Sequence, residues 1–290
     1  MNEIEIPPPT QLAVDQIYRL LETEKVGNGN HIVYVPSVDS TNSLAMKLAR
    51  DGSEEGVVVL ADRQTAGRGR QGRQWAAMEG WNVLSSIVLR PLFPPYQLVM
   101  IASLAVVDAI TSVCGITATI KWPNDVLIGD RKVAGILIET SKDLAGQLVA
   151  IVGIGVNVNG RINQYVPRQT ELQTVAGLVT TAITLAEASG HVVSREAFIA
   201  SLLYQIETRY LAVQQEAQQT TRYHAGPISR LIREQWRHRL STLGRTIEVR
   251  QGSQLLSGVA EDVNDQGELL LRHHSGECTI ITWGDVALIG

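Results

Sequence analysis

Gly67-Arg68-Gly69-Arg70-Gln71-Gly72-Arg73-Gln74-Trp75 interleaves three glycines with three arginines, and a fourth, Arg63, precedes it with no acidic residue between. Glycine lets a backbone pass close to a ligand and frees its N–H groups as donors. Each guanidinium offers a fixed fork of donors for carboxylate or phosphate. The combination suits a loop that closes over an anion. The string Gly67-x-Gly69-x-x-Gly72 also matches a dinucleotide fingerprint, but that motif needs a strand running straight into its first glycine and a helix directly after. Six residues separate Leu60, the end of an apolar run, from Gly67, and the residues beyond Trp75 do not read as a helix start. The segment is short and lies inside a fold, which argues against an Arg/Gly tail for RNA. No Walker A string exists anywhere in the chain, which excludes a P-loop. Taken alone, the segment still fits a solvated basic loop.

On either side the texture is α/β. Upstream, His31–Val35 reads as a strand, Ser40-Thr41-Asn42 opens a short helix through Arg50, and Val57–Leu60 is a buried strand. Downstream, Asn82–Leu89 reads as a strand and Leu98–Val113 as a long buried helix. Thr117–Lys121 is a further strand, and Gly129-Asp130 turns a hairpin between Asp125–Ile128 and Lys132–Glu139. Leu148–Val156 is another buried strand. Helices are predicted from about Leu172 to Ser189, from Ser194 to about Gln218 and from about Ile228 to Leu240, with Gln214–Ser229 read as a surface loop or insertion. Residues 31–242 thus form one α/β unit of the α+β kind. Residues 243–290 carry short strand-like runs around the Asn264-Asp265-Gln266-Gly267 turn, which suggests a small β-barrel. Residues 1–30 hold one helix, with Thr10 as its expected cap and Asn28-Gly29-Asn30 as its stop.

The 290 residues, 44% hydrophobic and 19% charged with net charge −4, describe an ordinary globular chain. That balance argues against a protein whose whole body binds nucleic acid. Cys114 and Cys278 are the only cysteines and form no framework or C-x-x-C pair, so both read as reduced thiols. The first residues, MNEIEIPPP, lack the basic and apolar regions of a signal peptide. A cytoplasmic protein with no membrane partner is expected. His273, His274 and Cys278 have no ligand spacing, so no metal site is assigned.

Three other segments invite chemistry. Lys121-Trp122-Pro123-Asn124-Asp125 puts a lysine at the end of an apolar strand that Pro123 terminates. That lysine either points into a site or snorkels to solvent, and Asn124-Asp125 is most simply turn chemistry. Gly153-Ile154-Gly155-Val156-Asn157 places glycines inside a strand, where they weaken packing unless something must approach closely. Gly135 raises the same question. Asn157 reads as a strand-terminal turn residue or as an amide offered to a ligand, and Ser40-Thr41-Asn42 as a helix cap or a binding segment.

In this order, Ser40-Thr41-Asn42, Gln64 through Trp75 (Q-x-A-GRGR-x-GR-x-W), Lys121–Asp125 (KWPND), Lys132–Glu139 (K-x-AGIL-x-E) and Gly153–Asn157 (G-x-G-x-N) resemble the catalytic core of biotin–protein ligases over roughly residues 31–160. The resemblance implies a mixed sheet flanked by helices, like the class II aminoacyl-tRNA synthetase domain, followed by a small SH3-like domain. It implies a two-step reaction in which biotin and Mg-ATP give biotinyl-5′-AMP, and a lysine of a biotin carboxyl carrier protein domain, from acetyl-CoA carboxylase or a related carboxylase, then takes the biotin. By that similarity Ser40, Thr41, Asn42 and Gln64 would hold the ureido ring of biotin, with the backbone at Arg68 and Gly69 helping and Gly135 allowing close approach. Arg70 would pair with the biotin carboxylate and hold the adenylate. Arg73 would sit on ATP phosphates, Trp75 beside the adenine, and Asn157 near the ribose, phosphates or Mg²⁺. Lys121 would bridge carboxylate and α-phosphate. Only about thirty residues precede the core, too few for a winged-helix module, so ligase activity without operator binding is expected and no nucleic-acid partner. A lipoate–protein ligase of the same superfamily and a biotin-responsive repressor are the competing readings. A homodimer is left open.

Overall fold

The computed structural model describes residues 8–164, 181–219 and 225–289. Its main element is a seven-stranded sheet in the order β1-β2-β3-β7-β6-β5-β4, built from Ile32–Val38 (β1), Val58–Gln64 (β2), Val83–Leu89 (β3), Thr119–Lys121 (β4), Asp125–Ile128 (β5), Arg131–Lys142 (β6) and Leu148–Val156 (β7). β1 and β2 run parallel and the other neighbours antiparallel, so the sheet is mixed as expected.

The two faces of this sheet are sorted by the period-2 alternation of its strands. Val58, Leu60, Ile87, Val152 and Ile154 pack into the main core with Tyr96–Cys114 (α3) and Arg195–Gln218 (α5). Val57, Val59, Val88, Val149 and Ile151 form a smaller cluster with Ala45 and Ala49 of Thr41–Arg50 (α2). α2 is a short helix and covers only part of its face. The uncovered part, over β6, β7, β5 and β4, is where a ligand finds room.

α3 is long and apolar enough to cross a membrane by length and composition alone, but most of it is buried inside the fold, the state its near-continuous apolar sequence predicts. Leu185–Ser189 (α4) is a single turn closed by a capping box between Thr184 and Glu187. The helix predicted from Leu172 lies outside the described residues up to 180. α5 runs through Gln218, and Pro227–Arg239 (α6) follows, so the loop expected over 214–229 is much shorter. Gln214 holds the backbone of Arg90 and Leu92, and Glu216 accepts the N–H groups of Ile228 and Ser229 at the start of α6. The Gln- and Thr-rich composition and Gly226-Pro227 made this stretch look like a loop, whereas Gln214 and Glu216 spend their polar groups on long-range bonds.

The N-terminal helix is Val14–Leu20 (α1), preceded by Ala13 with no side-chain cap. Thr10 does not cap it: its carbonyl accepts from Arg195, and Glu196 takes the Ala13 N–H. Leu12, Ile17 and Val26 belong to the main core, so the extension packs with the α/β unit. Glu207 of α5 fastens it, accepting the backbone N–H groups of Glu24, Lys25 and Val26 at 2.7, 2.8 and 2.7 Å in a site only 6% exposed. Glu207→Ala strands those donors and should destabilise the fold by roughly 2–3 kcal/mol. Calorimetry should register this as a melting point lower by about 5–10 °C. An unchanged melting point would show that the extension is not held this way.

Thr246–Gln251 (β8), Gln254–Val263 (β9), Leu269–Arg272 (β10), Cys278–Ile281 (β11) and Asp285–Leu288 (β12) form a five-stranded antiparallel sheet in the order β11-β10-β9-β8-β12, consistent with an SH3-like unit. Trp122 docks it against β4, donating Nε1–H to the Gly267 carbonyl at 2.8 Å and its backbone N–H to the Thr242 hydroxyl at 2.9 Å. Arg237 of α6 pairs with Asp262 of β9 through both guanidinium branches.

Candidate active site

One row of register partners crosses the sheet: Lys121, Asp125, Gly135, Gly155 and Leu84, on β4, β5, β6, β7 and β3. Partners directly opposite one another present their side chains to the same face, so this row sets a cation and a carboxylate beside a floor of two glycines. The adjoining row on that face pairs Leu137 with Gly153 and Gly153 with Ser86. A Cβ at Gly155 would stand 2.4 Å from Cε2 of the Trp75 indole, and one at Gly153 would stand 2.2 Å from Asn42 Oδ1. The strand glycines are thus explained by close approach. The indole lies on one and the Asn42 amide on the other.

The Gly/Arg segment folds as a small hairpin over this floor. Trp75 N–H donates to the Gly67 carbonyl at 3.0 Å, Arg68 bridges Gln74, and Gly69 N–H donates to the Arg73 carbonyl at 2.7 Å. Gln71 and Gly72, both with positive φ (56° and 73°), turn the chain round. Carboxylates clasp the hairpin at both ends. Arg68 pairs with Glu139 of β6 at 2.8 Å, and Arg73 pairs with Asp285 of β12. Arg70, between them, has no carboxylate within ion-pair distance among the described residues. It donates to Asn124 Oδ1 at 2.9 Å, and Asn124 is itself fixed by donating to the Ile136 carbonyl at 2.7 Å. Burial pushes the Arg70 pKa down, offset in part by Asp125 and Asp285.

These elements enclose a cavity of about 370 Å³ with two chemically different ends. One end is neutral. Ser86 donates to Thr41 Oγ1 or Asn42 Oδ1 (2.7 and 2.6 Å), and Thr41 donates from its backbone N–H and its hydroxyl to Gln64 Oε1 (2.8 and 3.1 Å). Asn42 Nδ2–H donates to Glu139, the carboxylate that also holds Arg68. Ser40 stands at the N-cap of α2 in extended conformation, but its side chain makes no cap bond, and the residue lines the cavity. The helix-cap reading of Ser40-Thr41-Asn42 thus gives way to a hydrogen-bonding wall.

The other end is cationic. Lys121 lines it without an ion pair among the described residues, its pKa lowered by burial against the opposing pull of Asp125. Lys132 pairs with Asp125 at 2.6 Å and lies over the Trp75 ring, 5.4 Å from its centroid.

Ser40, Thr41, Asn42, Gln64, Arg68, Gly69, Arg70, Arg73, Trp75, Lys121 and Gly135 all line the one cavity. Asn157 does not. It lies beyond Gly155 at the end of β7, 7% exposed, with Nδ2–H donating to the Ile183 carbonyl at 3.4 Å. Sequence reasoning assigned no role to Lys132, Glu139, Asp125, Ser86 or Asp285. Lys132 was hidden by a β-bulge. The register of β6 against β5 shifts between Val126 and Leu127, so that Val133 is an extra residue and Lys132 is re-aimed toward the face of Gly135, where simple alternation would not put it. Asp285 was hidden by distance, 212 residues from Arg73 along the chain.

Comparison with known proteins agrees with this geometry. Residues 34–159 match the biotin/lipoate A/B protein ligase family and residues 242–288 the biotin protein ligase C-terminal domain. The chain is 38% identical over 247 residues to the biotin--[acetyl-CoA-carboxylase] ligase of Paracoccus denitrificans, covering 83% of this chain and 94% of that one. It is 34% identical over 274 residues to the bifunctional ligase/repressor BirA of Bacillus spizizenii, covering 93% and 78%. Among solved structures, the biotin protein ligase from Aquifex aeolicus in complex with biotin and ATP superposes with a TM-score of 0.70 at 27% identity, over 89% of this chain and 98% of that one. The hairpin, the glycine floor and the C-terminal sheet lie within these matched stretches, and the chain belongs to the biotin protein ligase family.

Proposed function

We propose that this chain joins biotin to ATP as biotinyl-5′-AMP and then transfers the biotinyl group to a lysine of a biotin carboxyl carrier domain, in acetyl-CoA carboxylase or a related carboxylase. The observation that carries this reading is one cavity with a neutral hydrogen-bonding wall at one end and unneutralised cations at the other. A ureido ring is neutral and rich in donors and acceptors, which suits Thr41, Gln64 and the Ser86–Asn42 pair. The valeryl carboxylate then reaches Arg70, Lys121 and Lys132. A carboxylate oxygen attacks the α-phosphorus and the bond to the β-phosphate oxygen breaks, leaving pyrophosphate with the electron pair. Arg70 and the two lysines carry fixed positive charge where negative charge gathers. The acceptor amine then attacks the carbonyl carbon of the mixed anhydride, AMP leaves, and the amine gives up its proton. Trp75 offers a flat face for the adenine.

Magnesium enters with the nucleotide as part of the substrate. Mg²⁺ is commonly held by phosphates, waters and one or two carboxylates, and Asp125 and Asp285 are the cavity carboxylates nearest the cations. Isotope exchange between labelled pyrophosphate and ATP tests the reading. It should require biotin, and lipoate should not replace it. Exchange with lipoate and none with biotin would overturn it.

A further inference from the structure

Glu139 stands two residues beyond Leu137 on β6, on the face that carries Gly135. One of its oxygens, Oε2, accepts from Asn42 Nδ2 at 2.7 Å and from Arg68 at 2.8 Å. A carboxylate only accepts, so the nitrogen of the Asn42 amide must face it. The other N–H of that amide points at the Leu137 carbonyl, 3.5 Å away and too distant to set the orientation alone. Asn42 Oδ1 is thereby turned toward Ser86.

The protons of the neutral wall then follow by counting. Ser86 Oγ lies 2.6 Å from Asn42 Oδ1 and 2.7 Å from Thr41 Oγ1. Both contacts are hydrogen bonds, so each holds one proton. Asn42 Oδ1 has none to give, so Ser86 donates there, and the Thr41 hydroxyl supplies the proton of the other contact. The 3.1 Å contact to Gln64 Oε1 is the longer of the two open to that proton, and Gln64 keeps the Thr41 backbone N–H at 2.8 Å. Thr41 Oγ1 is left with its lone pairs for the cavity that Thr41 lines. Neither Glu139 nor Ser86 lines that cavity, so both act from behind it.

We propose that Glu139 is a positioning residue that sets the donor–acceptor polarity of this wall: through Asn42 and Ser86 it holds Thr41 Oγ1 as an acceptor for a ring N–H of biotin. The proposal rests on the biotin reading above. With the Asn42 amide reversed, its nitrogen would donate to Ser86 and Ser86 would donate to Thr41. The Thr41 hydroxyl would then be free to meet the ring N–H with its own proton, donor against donor. A carboxylate behind the wall therefore decides whether a ring N–H or a ring acceptor is preferred in front of it.

Calorimetry on the full chain without nucleotide tests this, with biotin and the two cyclic carbamate analogues in which a ring oxygen replaces one ureido N–H or the other. If the parent does not bind biotin, the function proposed above fails before this step is reached. In a parent that binds it, the poorer carbamate should bind about 100-fold more weakly than biotin, because an acceptor then faces Thr41 Oγ1. Glu139→Gln can offer Asn42 either a donor or an acceptor, so the polarity is no longer forced. Biotin should then bind about tenfold more weakly, and the ratio of biotin to carbamate affinity should fall about tenfold. Arg68→Gln removes the ion pair, keeps the carboxylate and should keep the ratio, which separates this role from the clasp on the hairpin. Ser86→Ala breaks the relay at its middle and should lower the ratio as Glu139→Gln does, so the test stands even if Glu139→Gln does not fold. A folded Glu139→Gln or Ser86→Ala protein with the parental ratio would overturn the proposal. So would an equal loss of the ratio in Arg68→Gln, which would make the hairpin the source of the discrimination.

Discussion

Lys121→Met and Lys132→Met should each slow biotin-dependent pyrophosphate exchange by a factor on the order of 10²–10³, the usual effect of removing one preorganised charge from a transition state. The two lysines flank one carboxylate. Asp125 is the register partner of Lys121 and the ion-pair partner of Lys132 at 2.6 Å, so it fixes one ammonium and leaves the other free to meet substrate. Biotin binding, measured by calorimetry without nucleotide, should change much less, since the neutral wall around Thr41 and Gln64 is untouched. A pH profile adds a second readout. Burial holds the Lys121 pKa below the ordinary lysine value, so the charged form is lost earlier as pH rises. Exchange should therefore fall on the alkaline side before a solvent lysine would titrate, and Lys121→Met should lose that limb. If both variants exchanged at the parental rate, the cationic end would not be where adenylation occurs.

How far this site could be read in the sequence depended on whether its contacts were local. The continuous apolar runs of Val57–Leu60 and Leu148–Val156, the long apolar helix and the hairpin at Gly129-Asp130 are set by nearest neighbours, and each folds as its pattern predicts. Gly153 and Gly155 could be recognised as close-approach positions, but not what approaches. Asn42 and Trp75 reach them from α2 and from the hairpin, and only the folded sheet brings these together. Ser40 looked like a cap because serine is a favoured N-cap residue, and it does stand at that position, yet its side chain makes no cap bond and the residue lines the cavity. Lys132 was invisible because a bulge breaks the alternation on which any face assignment rests. The clasp of Arg73 by Asp285 joins two units that composition treats as separate. The Gly/Arg string announces a cationic loop; the carboxylates that hold its ends, Glu139 and Asp285, are far from it in sequence.

That clasped geometry makes Arg70→Gly the most informative change in the hairpin. Arg68 and Arg73 would keep their carboxylates, and the Gly69-to-Arg73 and Arg73-to-Arg70 bonds involve only backbone, so the loop should fold with an unchanged melting point. What is lost is a guanidinium tethered by Asn124 and partly stripped of water, with no carboxylate among the described residues to neutralise it by contact. Such a cation gains most from a bound anion, and removing one partner of a desolvated charge pair typically costs 2–5 kcal/mol, expressed mainly in the dissociation rate. Biotinyl-AMP should then escape about 10²-fold faster or more. The adenylate should still form, because Lys121 and Lys132 still line the cationic end of the cavity. Once in solution, the mixed anhydride would acylate exposed lysines at random, so a bystander protein such as serum albumin should become biotinylated in proportion to its concentration. Filtration of the reaction should recover labelled adenylate in the flow-through from the variant and little from the parent. A variant that formed the adenylate and held it as tightly as the parent would remove Arg70 from this role and transfer retention to the backbone of the hairpin and the indole of Trp75.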